Sequence, residues 1–297
     1  MTVMRDKATV PVEVTVVADG RADALPDQLA TEEPLEIRLG SKRPAATTRS
    51  LTVTMRTPGE DRELALGFLF AEGAIRGMDD VAGVRQLEDN VVAVTLALKD
   101  EGDGGGPDWT ALERRFFTTS ACGLCGKASI EQLLLGRSYE LASGPRIEAE
   151  NLASLPASLR QGQGLFQSTG GLHAAALFTA GGELVALRED IGRHNAVDKL
   201  VGWALEEERL PLSGHVLLLS GRASFELVGK ALAAGIPIVA SVSAPSSAAV
   251  ASARRFGMTL VGFLRDGRFN IYSGVERLVL PKADGATIGS SGGQASS

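Results

Sequence analysis

Cysteine is almost absent from this chain: among 297 residues only Cys122 and Cys125 occur, with two residues between them. Two thiols so close together cannot build a disulfide framework, so nothing marks a secreted, stapled domain. Histidine is nearly as rare. His173, His194 and His215 stand far apart, and none has the short spacing of a zinc-finger pair. An excess of basic residues is missing too: the net charge is −6 and the pI about 5.3, which argues against nucleic acid as the main partner. Long apolar runs are lacking. The least polar stretch, Ala231 to Ala253, is broken by Pro237, Pro245 and several serines, so no membrane span is expected. The first ten residues, MTVMRDKATV, lack the apolar segment of a signal peptide. A reducing, cytoplasmic setting is the expectation, and there both thiols would stay usable.

What is present is ordinary for a water-soluble α/β protein, with 44% hydrophobic and 22% charged residues and a length suited to one or two domains. VPVEVTVV (10–17) reads as a strand, followed to residue 30 by a polar connection with little pattern. EPLEIRL (33–39) and SLTVTMR (50–56) alternate apolar and polar side chains and are expected as neighbours in one sheet. Asp61 to Ala71 has helical spacing, with Gly73 suited to its end. VVAVTLAL (91–98) is a further strand, and DEGDGGGPD (100–108) is too glycine-rich and acidic to bury a core face. A domain boundary is placed there, giving a smaller α+β domain over 1–108 and a second domain over 109–281. The last residues, 282–297, are expected to be a disordered tail.

The second half alternates strands and helices. Asn151–Gly162 reads as a helix interrupted by Pro156, and Leu172–Phe178 and Glu183–Leu187 as a hairpin around Ala180-Gly181-Gly182. Arg193–Glu207, Ser224–Ala234 and Ser246–Phe256 read as helices. His215–Leu219, Ile236–Ser241, Met258–Leu264 and Arg268–Tyr272 read as strands. The pattern implies a sheet covered on both faces.

The stretch TTSACGLCGKASIEQ (118–132) carries both cysteines at the expected start of a helix. The positive end of a helix dipole and the side chain of Lys127 would both favour a thiolate there, and so a sulfur nucleophile. Inert core cysteines, half of a zinc site completed by two of the three histidines, and a thioredoxin-like dithiol remain open as alternatives. Zinc-dependent deamination is disfavoured. That chemistry uses H-x-E with P-C-x-x-C, whereas here alanine precedes the pair and no histidine has glutamate two places on.

Three other stretches could meet a ligand. Ser220-Gly221-Arg222 joins a buried strand to a helix and offers a phosphate grip or a plain turn. Phe263-Leu264-Arg265-Asp266-Gly267-Arg268 sets two arginines three places apart around a tight Asp-Gly turn, suited to bidentate phosphate contact or to a solvated hairpin. REDIGRHNAVDK (188–199) gathers Arg188, Glu189, Asp190, Arg193, His194, Asn195 and Asp198 at a helix start. Asp190 is expected to cap that helix within a structural polar network, with His194 as a proton carrier in the rival reading.

Together TTSACGLCGKASIE, REDIGRHNAVDKL, SGRASFELVGKALAAGIPIVASVSAPSSAA and GFLRDGRFNIYSG resemble the FdhD/NarQ family of formate dehydrogenase accessory sulfurtransferases, from about Glu33 to about Leu280. The resemblance implies a cytidine-deaminase-like, three-layer C-terminal domain beside the smaller α+β domain, and a homodimer. It implies that a cysteine desulfurase passes persulfide sulfur to Cys122, with Cys125 as partner or resolving thiol. The acceptor it implies is the molybdenum bis(molybdopterin guanine dinucleotide) cofactor of formate dehydrogenase, bound at Phe263 to Arg268.

Overall fold

The computed structural model describes residues 7–41, 48–97 and 141–281. The expected boundary near residue 108 and the C-terminal tail lie outside the described residues. In chain order the first elements are β1 (Thr9–Ala18), β2 (Arg21–Ala30), β3 (Glu33–Ser41), β4 (Arg49–Arg56), α1 (Asp61–Ala71), β5 (Val81–Glu88) and β6 (Val91–Leu96). After them come β7 (Ile147–Glu148), α2 (Ala149–Gly162), α3 (Gly164–Thr169), β8 (His173–Thr179), β9 (Leu184–Asp190), α4 (Arg193–Glu206) and β10 (His215–Leu219). The described chain closes with α5 (Phe225–Ala233), β11 (Ile238–Ser241), α6 (Ser247–Arg255), β12 (Thr259–Arg265), β13 (Arg268–Ser273) and β14 (Leu278–Val279).

A six-stranded sheet in the order β13-β12-β11-β10-β8-β9 organises the second half. Strands β10, β11 and β12 run parallel, joined through α5 and α6, and the flanking pairs are antiparallel. Side chains alternate across this sheet, as a strand dictates. Ala175, Leu177, Leu217, Leu219, Val239 and Leu260 join the core under α4, α5 and α6. Their neighbours Ala176, Phe178, Val216, Leu218, Ile238 and Val261 pack with Leu152, Leu155 and Leu159 of α2 on the opposite face. Both faces are therefore covered, which explains why these strands read as near-continuous apolar runs.

The first half forms a four-stranded sheet in the order β4-β3-β6-β5, with β3 and β4 antiparallel neighbours as their alternation implied. Leu64, Leu66 and Leu69 of α1 are buried together with Leu35, Ile37 and Val92 of this sheet and with Leu200 and Val201 of α4 in one core cluster. Each such leucine contributes roughly 2 kcal/mol through burial. Close approach of the two helices depends on glycine. A Cβ on Gly67 would stand 1.8 Å from the Asp198 carbonyl oxygen, and one on Gly202 would stand 1.8 Å from that of Glu63.

Two local expectations are corrected, and one short helix is new. Residues 21–30 form strand β2, paired along its full length with β1, and Pro26 is tolerated because, among the described residues, each of these strands pairs only with the other. Pro156 does not interrupt α2, which runs unbroken through it with Leu155 and Leu159 anchored in the core. The GLFQST segment is a short helix, α3, whose first N–H groups, those of Leu165 and Phe166, donate to the Glu189 carboxylate at 3.0 and 2.8 Å.

Candidate functional site at the carboxyl edge of the sheet

Cys122 and Cys125 lie outside the described residues, as do the strand and helix expected on either side of them. The other singled-out segments converge. Pairing of Leu219 with Ser241, of Leu219 with Ala175, and of His173 with Asp190 brings the ends of β9, β10 and β11 and the start of β8 to one edge of the six-stranded sheet. The end of β12 reaches the same edge through its parallel pairing with β11. Ser220-Gly221-Arg222, Phe263 to Arg268 and the 188–195 block thus share one rim, the side where open α/β sheets receive ligands.

The Phe263–Arg268 hairpin is shaped by its backbone. Between Gly262 and Arg265 strand β12 holds one residue more than β13 opposite, a bulge at which Phe263 takes φ 54°. The Phe263 N–H donates to the Ser243 carbonyl at 3.0 Å, tying the hairpin to the loop after β11. Gly262 is required there, since a Cβ would lie 2.7 Å from Pro245 and 2.9 Å from the Tyr272 ring. The turn itself has positive φ at Asp266 (53°) and Gly267 (72°), the two-residue geometry that Asp-Gly favours. Leu264 is fully buried in the core and anchors the hairpin, while Arg265, Asp266, Gly267 and Arg268 are exposed. Arg265 and Arg268 are a cross-strand pair. Like charges opposite each other repel, and an anion held between them would relieve that.

The SGR turn is fixed by hydrogen bonds at both sides. Ser220 donates its N–H to the Ala174 carbonyl at 3.0 Å, and its hydroxyl accepts from the Ala174 N–H at 2.8 Å. Ser224 then caps α5, its hydroxyl accepting from the Leu227 N–H. Gly221 packs against His173, where a Cβ would meet the imidazole at 3.1 Å.

The 188–199 block divides into a buried framework and an exposed remainder. Asp190 is fully buried, and its Oδ1 accepts from the Gly192 N–H (2.8 Å) and from Asn195 (2.9 Å). Its Oδ2 accepts from the Thr57 N–H (3.2 Å) and pairs with Lys199 (2.9 Å). The expected cap is corrected: Gly192 is the N-cap of α4, and Asp190 folds the turn before it and locks that turn to the β4–α1 connection. Arg188 forms a bidentate pair with Glu63 of α1, at 2.5 and 2.7 Å. Burial raises the Glu63 carboxyl above its ordinary range despite that arginine.

His194 faces the rim. Its Nε2 is 2.7 Å from Glu226 and 3.4 Å from the Ser224 hydroxyl, both contributed by the start of α5. The hydrogen bond from His194 holds the Glu226 carboxyl below its ordinary range. A histidine held by a carboxylate has its tautomer and orientation fixed, as a proton carrier needs. Sequence spacing gave no sign of Glu226 as its partner, because the two residues meet only through the packing of α4 against α5. His215 sits at the opposite end of β10, paired with Thr179, so only His173 and His194 of the three histidines reach the rim.

Comparison with known proteins covers most of the chain. A family model described as the FdhD/NarQ family matches residues 30–279. "Sulfur carrier protein FdhD" of Mycolicibacterium paratuberculosis is 50% identical over 89% of this chain and 97% of its own length. The protein of the same name from Streptomyces coelicolor is 50% identical over 92% of this chain and 96% of its own. That of Sulfolobus acidocaldarius is 42% identical over 91% and 98%. The crystal structure of a protein assigned as a formate dehydrogenase accessory protein, from Desulfotalea psychrophila, superposes with a TM-score of 0.71 over 92% of this chain and all of that one, at 24% identity, which shows the shared fold.

Proposed function

Since the chain belongs to the FdhD/NarQ family, we propose that it is a sulfur carrier for formate dehydrogenase maturation, with Cys122 as the carrying thiol. The observation that carries this reading is the half-identical, near-full-length likeness to proteins named sulfur carriers, over a span that includes both cysteines. In this reading it works as a cytoplasmic homodimer, and a six-stranded sheet covered by helices on both faces is compatible with the cytidine-deaminase-like layering that the resemblance implies.

The chemistry has two steps. The Cys122 thiolate attacks the outer sulfur of a persulfide on a cysteine desulfurase. One sulfur–sulfur bond forms on Cys122 as another breaks, and the donor cysteine leaves as a thiolate, with no net oxidation. For delivery, the Cys125 thiolate attacks the Cys122 sulfur. The outer sulfur departs as hydrosulfide, and the electrons for its reduction come from the two cysteines, which become a disulfide that a cellular dithiol reduces again. The acceptor is the molybdenum bis(molybdopterin guanine dinucleotide) cofactor, held as substrate at Phe263–Arg268. There the Arg265 and Arg268 pair meets its phosphates and the bulge at Phe263 fixes the hairpin beside the Ser243 loop.

Incubation with a desulfurase and cysteine, followed by thiol alkylation and peptide mass spectrometry, tests the carrier. One extra sulfur on the Cys122 peptide, absent from Cys122→Ala, is expected. A persulfide found only on Cys125, or none at all, rejects the assignment.

A further inference from the structure

We infer that Arg193, Arg222 and His173, with the Ser224-capped start of α5, form a second anion subsite for a phosphoryl group. It lies two strands from the Phe263–Arg268 hairpin, roughly 10 Å along the rim.

The charges at this point of the rim do not balance. The two carboxylates within reach are already committed: Asp190 is taken by Lys199, Asn195 and two backbone N–H groups, and Glu226 by His194. Neither Arg193 nor Arg222 takes part in an ion pair among the described residues. Arg193 goes further: its Nε is shielded from solvent and has no hydrogen-bond partner. A shielded donor of a charged group left unmet is costly, and an anion arriving at the rim would supply its acceptor. Burial holds the His173 imidazole below its ordinary value, and the nearby positive charges of Arg193, His194 and Arg222 push it the same way. The two arginines thus gather here beside carboxylates, Asp190 and Glu226, whose hydrogen bonds already go to other groups. Gly221, which has no room for a Cβ against His173, keeps the backbone of the turn close to this spot. Planar guanidinium forks beside a helix start favour a phosphoryl group, whose several oxygens can accept from both arginines and from backbone N–H groups. The subsite deepens the cofactor reading, since a dinucleotide presents phosphates at more than one point, but its own chemistry requires only the anion.

Titration of the full-length protein with inorganic pyrophosphate by calorimetry decides the matter. Arg193→Gln and Arg222→Gln are each expected to weaken binding about tenfold or more, with Arg160→Gln, on the exposed face of α2, unchanged. Arg222 is exposed, so its variant keeps the fold even if that at Arg193 does not. No binding by the parent protein, equal binding by the Arg222 variant, or equal losses in all three variants overturns the subsite. Failure of the cofactor reading has a separate signature, a guanosine diphosphate affinity no tighter than that for pyrophosphate.

Discussion

Along the packed seam of α1, α4 and α5 the buried and half-buried cations have carboxylate partners: Arg56 with Asp61 (2.8 Å), Arg188 with Glu63 (2.5 Å), Lys199 with Asp190 (2.9 Å) and Lys230 with Asp198 (2.5 Å). On the rim of the six-stranded sheet the arrangement is reversed. Arg193, Arg222, Arg265 and Arg268 enter no ion pair among the described residues, while the nearby carboxylates serve the framework. Charge that stabilises the fold is matched inside the chain, because burying it unmatched would cost too much. The charge left over lies on the hairpin and beside the capped start of α5, where the proposed ligand contacts are placed.

Breaking the seam gives the largest expected effect. Asp198→Ala leaves the Lys230 ammonium buried without a partner, and a loss of about 3–5 kcal/mol is expected in denaturant unfolding. Asp198→Ala combined with Lys230→Met should recover most of it, since an apolar side chain of similar length suits that site. A single variant as stable as the parent would show that the pair does not hold the seam. Relieving the rim gives the smallest effect, and of opposite sign. Arg265→Gln removes one of two facing like charges and should raise stability by about 0.5 kcal/mol in the same measurement. A loss above about 1 kcal/mol would mean that Arg265 is part of the framework after all.

Much of this fold could be read before the structure. Strands β3, β4 and β8–β13 announce themselves by alternation or by apolar runs, and α4–α6 by their spacing. Strand β2 was missed because RADALPDQLA buries almost nothing and its order comes from pairing with β1. Strand β5 and the short α3 escaped for similar reasons: half-exposed or brief segments carry weak periodicity, and α3 is capped by Glu189 from a distant strand. The candidate site was legible as separate pieces. Their union on one rim depends on a sheet order that departs from chain order, and the sorting of paired from unpaired arginines depends on contacts more than a hundred residues apart, such as Arg188 with Glu63.

Formate dehydrogenase activity, measured in cells deleted for their own copy of this gene and supplied with either the parent protein or Cys122→Ala at equal abundance, tests the thiol most directly. The account predicts restored activity with the parent and none with the variant. Full activity with Cys122→Ala would contradict it and leave the arginine-lined rim as a binding platform without a sulfur to deliver.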